Sequence, residues 1–440
     1  MTIMNLSRRL ASPLLCLCLL AAAFAVRAQE EMRGHGGPVR ALSIAGDGRV
    51  AISGSFDSRA ILWSLERGEA MRVLRFHDSA VNAALALPDG RFATAGQDGR
   101  VALWRADADA PLRVLGPAEG GHDAPVAGLA VSADGQLLAS AGWDRTARLW
   151  RLDASTTAPL ILDGHDDNVN AVAFAPDGAS VLSASQDGGL RRFDIGGGPP
   201  RLLRFPSPLT TLQVSRGGEA VVGGADGVVR VVSEGGDLLG EVEAQPGPVI
   251  ALALAPDGRT IAAGGLRGAV VLIDRATLRI DRRIDGPGLP VWSIAFTPDG
   301  REVLTGGADR LVRRWNAATG GHVGPILAPR ASTAGDVHGE PHGAQVFRAC
   351  AACHTLGPDD GERAGPTLHG VFGRRIATLP GYDFSHALRG MDIVWTGETI
   401  ARLFEIGPNA YTPGTKMPEQ TIGDPDDRAA LIRFLERATR

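Results

Sequence analysis

Cys350-Ala351-Ala352-Cys353-His354 is the stretch of this 440-residue sequence whose residue types and spacing most directly specify a chemistry. Two thiols separated by two residues can add across the two vinyl groups of a haem, and the adjoining histidine can then reach the iron. Such a covalent c-type haem performs one-electron transfer. Half of a zinc site or a dithiol redox pair would use the same two thiols. A zinc ribbon needs a second cysteine pair, and the remaining cysteines, Cys16 and Cys18, lie near the N-terminus.

The motif needs elements to hold it. The spacing of apolar residues predicts a helix over 343–354 that ends on the motif, with Val346, Phe347 and Ala351 turned inward. A second amphipathic helix is predicted over 427–439, with Leu431, Ile432 and Leu435 on its apolar face and Arg433, Glu436 and Arg437 outward. Ahead of them, residues 329–342 (PRASTAGDVHGEPH) are polar, small and proline-containing, the profile of a connector between domains. Residues 343–440 then form a small domain whose core a cofactor would complete.

The N-terminus carries an expectation about address. Arg8 and Arg9 precede an apolar run over 10–26, and Val26-Arg27-Ala28 offers small residues near a cleavage point. The run is short for a membrane span, so residues 1–28 read as a secretory signal peptide, with a retained anchor as the rival. Cleavage would remove Cys16 and Cys18 and leave Cys350 and Cys353 as the only thiols. A periplasmic address is the expectation that agrees with both signals. Net charge is −4 and Lys416 is the sole lysine, so nothing electrostatic points to nucleic acid or an anionic membrane. No second apolar stretch approaches membrane length.

Between these ends, strand-like units recur. They close at Trp63, Trp104, Trp150, Phe193, Val232, Ile273 and Trp315, at spacings of 39 to 46 residues. Each unit reads as short alternating strands separated by Asp-Gly and related turns. Four strands cannot bury both faces alone, so the units must stack around an axis. The third is the clearest: Gly121-His122, then VAGLAVSADGQLLASAGWDRTARLW. These residues resemble the WD-repeat family, which implies a set of His, Ser or Thr, Asp and Trp in each blade. The set falls on His35, Ser53, Asp57 and Trp63; on His77, Thr94, Asp98 and Trp104; and on His122, Ser140, Asp144 and Trp150. The fourth unit has His165, Ser183 and Asp187, with Phe193 for Trp; units five and six lose the hydroxyl to Val222 and Ala263, and Arg267 replaces the Asp. Unit seven keeps Thr305, Asp309 and Trp315 without the His. The expectation is a multidomain chain: an all-β seven-bladed propeller over 29–328, then a small all-α domain. Residues 322–328 are the more apolar candidate for its closing strand, the segment before His35 the alternative. Histidines at one unit position belong to separate blades, so no catalytic cluster is assigned.

The C-terminal motifs, GPTLHGVFGRR (365–375), PGYDF (380–384), Trp395 and YTPGTKMPEQ (411–420) with CAACH, resemble class I cytochrome c of the mitochondrial type. The resemblance implies one haem c, thioether-linked at Cys350 and Cys353, with His354 and Met417 as axial ligands. It gives Pro366 the carbonyl that orients His354, and places Arg374, Trp395 and Thr415 at the propionates or in the loop around them. A thioether opposite an imidazole favours ferrous iron and raises the potential. Met391, His338, His342, His369 and His386 are the rival ligands. Phe384 and Leu403 stand where the family has tyrosines, and the lysine-rich docking ring is missing. The leading reading is an exported electron carrier whose propeller or haem edge docks a periplasmic or membrane redox protein. An oxidoreductase with a substrate site in the propeller, and a redox-responsive scaffold, are the other two classes.

Overall fold

The computed structural model describes residues 31–153, 158–323, 340–348, 350–357, 363–382, 384–417 and 420–440. The segment expected to be a signal peptide, and all of the connector but 340–342, lie outside them. Seven four-stranded antiparallel sheets form the first region. The first blade runs Val39–Ile44, Val50–Ser55, Arg59–Ser64 and Glu69–Arg75. Its second and third strands are buried along almost their whole length, because each is covered by a neighbouring blade on either face. The innermost strand pair breaks register at one place, Val39/Ala41 in the first blade, and at the equivalent place in the other six. A bulge there adds local twist.

The seventh sheet is Val291–Phe296, Glu302–Gly307 and Leu311–Asn316, completed by Glu31–Arg33 from the other end of the chain. Glu31 pairs with Arg313, Met32 with Val312 and Arg33 with Leu311. This corrects the preference for 322–328 as the closing strand. Met32 is almost wholly buried with Val312, Trp63 and Val73, and Glu31 forms an ion pair with Arg313 at 2.5 Å. His322 bridges Trp315 and the Val323 amide bonds the Arg314 carbonyl at 2.9 Å, while 324–328 lie outside the described residues. The N-terminal strand offers both an apolar plug and a charge partner, and it ties the two ends of the ring together.

In the second region, helix α1 (Pro341–Phe347) crosses helix α5 (Pro425–Ala438), with Phe347 and Phe434 at 5.4 Å. Gly343 permits the approach, since a Cβ there would overlap the Ala430 carbonyl. Between them lie α2 (His386–Arg389), α3 (Gly397–Ile406) and α4 (Pro408–Tyr411). The helix predicted over 343–354 stops at Phe347, and a separate 3₁₀ turn, Cys350–Ala352, carries the motif. Ala351 is exposed rather than inward. Leu431 and Leu435 are buried as expected, joined by Ala430 and Phe434.

Candidate functional site

One cavity gathers the residues singled out from the sequence. Cys350, Cys353 and His354 line it together with Pro366 and Arg374. Trp395, Thr415 and Met417 complete the expected set on the same cavity. The 3₁₀ turn does the first part of this work. The amides of Cys353 and His354 both bond the Cys350 carbonyl at 3.0 Å, which folds the two sulfurs and the imidazole onto one side. Gly365 then passes so close to the ring that a Cβ would lie 2.6 Å from its Cε1. Only glycine allows the Pro366 carbonyl to come within 2.7 Å of His354 Nδ1. That contact makes Nδ1 the protonated nitrogen and leaves the Nε2 lone pair for a metal. Burial pushes the imidazole pKa down against the opposing pull of this carbonyl, so the ring is neutral, the form that binds iron.

The two thiols are disfavoured as thiolates. Burial pushes Cys350 up to about 11; burial, reinforced by the Asp57 charge, pushes Cys353 up to about 12. A zinc thiolate or an exchanging dithiol needs the anion, whereas a neutral thioether suits these surroundings. Much of the remaining wall is apolar, with Phe347, Leu368, Ile376, Leu388, Ile400 and Leu403, although charged side chains such as Arg375 and Lys416 also line it. A flat apolar macrocycle fits such a cavity, and a hydrated ion does not.

The Met417 loop is shaped by its neighbours. Gly414 takes φ +82, the Thr415 amide bonds the Thr412 carbonyl at 3.0 Å, and Thr415 Oγ1 accepts from the Met417 amide at 3.1 Å. Arg374 donates to the carbonyls of His369 and Thr367, both at 3.0 Å, and so orders the loop that carries Pro366. Phe384 lines the cavity against Tyr382 at 4.7 Å. The rival ligands fall away by position. His342 is exposed and bonds Asp427 at 2.7 Å, His386 is exposed, and neither His369 nor Met391 reaches the cavity. His338 lies outside the described residues.

Sequence reasoning did not reach the propeller's share of this cavity: Gly36, Asp57, Arg59 and Arg310. No local signal could have revealed them, since Gly36 and Cys353 meet only through the tertiary fold.

The propeller's polar sets are also in place. His35 bonds Asp57 at 3.0 Å and Ser53 at 2.7 Å, and Trp63 donates to the same Ser53 oxygen at 2.7 Å. Blades two and three repeat this around Thr94 and Ser140, and blade four does so without the indole. Blade six solves the problem differently: Gln245 occupies the histidine position and donates to the carbonyls of Ala263 at 2.9 Å and Ala269 at 3.2 Å. Among the described residues no cluster of three or more His, Cys, Asp or Glu could hold a metal.

Comparison with known proteins agrees with this division. The family model for the WD domain, G-beta repeat, matches residues 27–64, 68–105, 111–151, 157–194 and 280–316. The gap, 195–279, covers blade five and most of blade six, where Val222 and Ala263 replace the hydroxyl. The cytochrome c model matches 341–439. Cytochrome c of Sesamum indicum is 41% identical over 98 residues, which is 22% of this chain and 87% of that protein. Cytochrome c of Cochliobolus lunatus is 41% identical over 99 residues, 22% of this chain and 91% of its own length. Cytochrome c type-1 of Ascaris suum is 41% identical over 95 residues, 21% and 83% respectively.

These relatives overturn one expectation. They are cytochromes c of a plant, a fungus and a nematode, not periplasmic proteins, and the periplasmic address is withdrawn. The physical reason is that thioether attachment is the same chemistry in every compartment, so the motif carries no address. No helix among the described residues is long and apolar enough to cross a membrane. Haem c and electron transfer come with the matched domain, and protein interaction with the repeats. Behind an N-terminal seven-bladed propeller of WD40 repeats, this chain belongs to the cytochrome c family.

Proposed function

We propose that this chain is a one-electron carrier with a single covalent haem, whose propeller is the docking module for a redox partner. In this reading residues 29–328 are the propeller, 329–342 the connector and 343–440 the haem domain. Cys350 and Cys353 would hold the macrocycle through thioethers, and His354 Nε2 and the Met417 sulfur would bind the iron. When bound, the haem supplies a site that gains or loses one electron with little rearrangement.

The chain's own residues set the conditions for that exchange. The Pro366 carbonyl holds the imidazole in one orientation and raises its basicity. Arg374 and Thr415 fix the two loops that carry Pro366 and Met417. The apolar part of the wall limits access of water, and His354 and Met417 would both hold the iron. The observation that carries the reading is the convergence of both thiols, an oriented neutral imidazole and a thioether on one apolar cavity.

Purified chain is expected to show one low-spin haem that survives denaturation and acid-acetone extraction. Met417→Ala is expected to change the visible spectrum and lower the potential. An unchanged spectrum and potential would rule out Met417 as a ligand, and substrate-dependent haem reduction would rule out a pure carrier.

A further inference from the structure

The cavity wall beside Cys353 is built by the propeller. Gly36 lies so close that a Cβ on it would stand 2.5 Å from the Cys353 sulfur, and Asp57 and Arg310 flank it. Around this point the two domains exchange directional contacts. The Ala364 amide bonds the Gly34 carbonyl at 3.0 Å, and Arg363 Nη1 bonds the Arg33 carbonyl at 2.6 Å. Arg75 answers from the propeller, donating to the Arg363 carbonyl at 3.0 Å and lying 4.5 Å from the centroid of the Tyr382 ring. Lys416, beside Met417, donates to the His77 carbonyl at 2.7 Å and sits 3.6 Å from Asp78. The propeller side is thus the end of blades one, two and seven that carries the His–Asp pairs. The other side comprises the segments that flank Cys353 and Met417.

We propose that this end of the propeller is a docking surface for the chain's own haem edge, acting as a lid that a large redox partner must displace. The inference rests on the reading that Cys353 carries a haem thioether. A thioether joins a haem at its periphery, so a group held by Cys353 would present that edge toward Gly36. Electron exchange needs close approach to that edge, and Gly34 to Gly36 occupy the place a partner would take. These contacts are polar: a backbone–backbone hydrogen bond, side-chain hydrogen bonds to carbonyls, a cation–π pair and an ion pair. Interfaces of this polar kind between domains open and close. The rate seen by an external oxidant then equals the open-state rate scaled by the open fraction.

Two full-length variants test this from separate points. Asp78→Lys turns the ion pair with Lys416 into a repulsion, and Arg75→Glu removes the stack on Tyr382 and repels nothing that binds haem. Reduced protein is mixed with ferricyanide and, separately, with tris(phenanthroline)cobalt(III), oxidants of opposite charge. In each case one electron leaves the ferrous haem and reduces the oxidant, with no bond made and no proton moved. The radius of gyration is measured by X-ray scattering on the same samples. Both variants are expected to keep the wild-type haem spectrum, to expand, and to be oxidised about tenfold faster or more by both oxidants. Expansion with unchanged rates would overturn the lid. An unchanged radius in both variants would overturn the docking surface. Protein purified without covalent haem would instead overturn the haem reading, while scattering alone still decides the docking surface.

Discussion

The two regions of this molecule solve the problem of a polar interior in opposite ways. Each of the first four propeller blades buries a histidine and an aspartate, and each supplies its own partners from strands within about twenty residues. The cytochrome c domain instead turns much of its interior toward one cavity. Its helices bury Phe347, Phe434, Leu431 and Leu435, and all of these but Phe434 line that cavity. A self-satisfied core folds without help; a core with a cavity waits for the group that fills it. Blades five and six show a third solution. Val222 and Ala263 are fully buried where the hydroxyl stands elsewhere; blade five keeps Asp226, paired with Arg230, and blade six fills the histidine position with Gln245, so each remaining polar group has its own partner. A half-satisfied network costs more than an apolar core.

This contrast can be broken most decisively at the cysteines. Replacing both Cys350 and Cys353 with alanine is expected to abolish haem absorbance and the cooperative unfolding of the C-terminal domain, while the propeller keeps its own thermal transition. Calorimetry that showed both transitions intact would remove the distinction between the two cores.

The next largest effect is expected at the ring closure. Met32→Ala should cost ~2–4 kcal/mol, because a fully buried methionine leaves a cavity between the first and last blades. Denaturant unfolding of the propeller transition measures it. A loss below ~0.5 kcal/mol would mean that Glu31–Arg33 is not the strand that closes the ring.

Within a blade, Thr94→Val keeps the shape and strands two donors or acceptors at once, His77 Nε2 and Trp104 Nε1. The expected cost is ~1–3 kcal/mol. The reverse change in blade five, Val222→Thr, adds a hydroxyl with no waiting partner and is expected to destabilise by a similar or smaller amount. Stabilisation by Val222→Thr would show that blade five retains a hidden polar set.

The smallest predicted effect is in acid. Burial alone raises the Asp187 carboxyl, but the Asp166 amide, His165 and the Gly189 amide outweigh it and hold it at about 2, against an ordinary 3.8. Asp98 and Asp144 are held well below the usual carboxylate range in the same way, burial being outweighed mainly by His77 and His122. Their folded pKa values lie below the unfolded ones, so the unfolded chain binds more protons in acid. The stabilisation is complete above about pH 4 and is lost as pH falls toward 2. His165, lowered by burial against the pull of Asp187, adds a loss that begins below its ordinary 6.5. The propeller melting temperature is expected to fall through this window, and Asp187→Asn should flatten its acid limb.

Much of this architecture is legible in the amino-acid sequence. The forty-residue period marks the blades, and the polar sets of blades one to four lie on the residues that the repeat positions indicate. The eight residues expected at the haem all reach one cavity. Three features escape such a reading. Helical spacing over 343–354 does not reveal the break after Phe347, because the 3₁₀ turn is imposed by the cavity it must face. Gln245 gives no signal, since its partners are backbone carbonyls that carry no side-chain signature. The closing strand is misjudged because three residues of chain, Glu31–Arg33, hold too little pattern to outweigh a longer apolar stretch.

What the amino-acid sequence determined by itself is local: the cytochrome c motif at Cys350, Cys353 and His354, the blade repeat, and Met417 as a candidate on the same cavity. Each is written within a few dozen residues, where spacing translates directly into geometry. The tertiary structure alone decided which ends meet. Met32 finds Val312, and Gly36 finds Cys353, across hundreds of residues of chain. Such pairings depend on how many blades complete the ring and where the second domain comes to rest, and no periodicity in the chain records either.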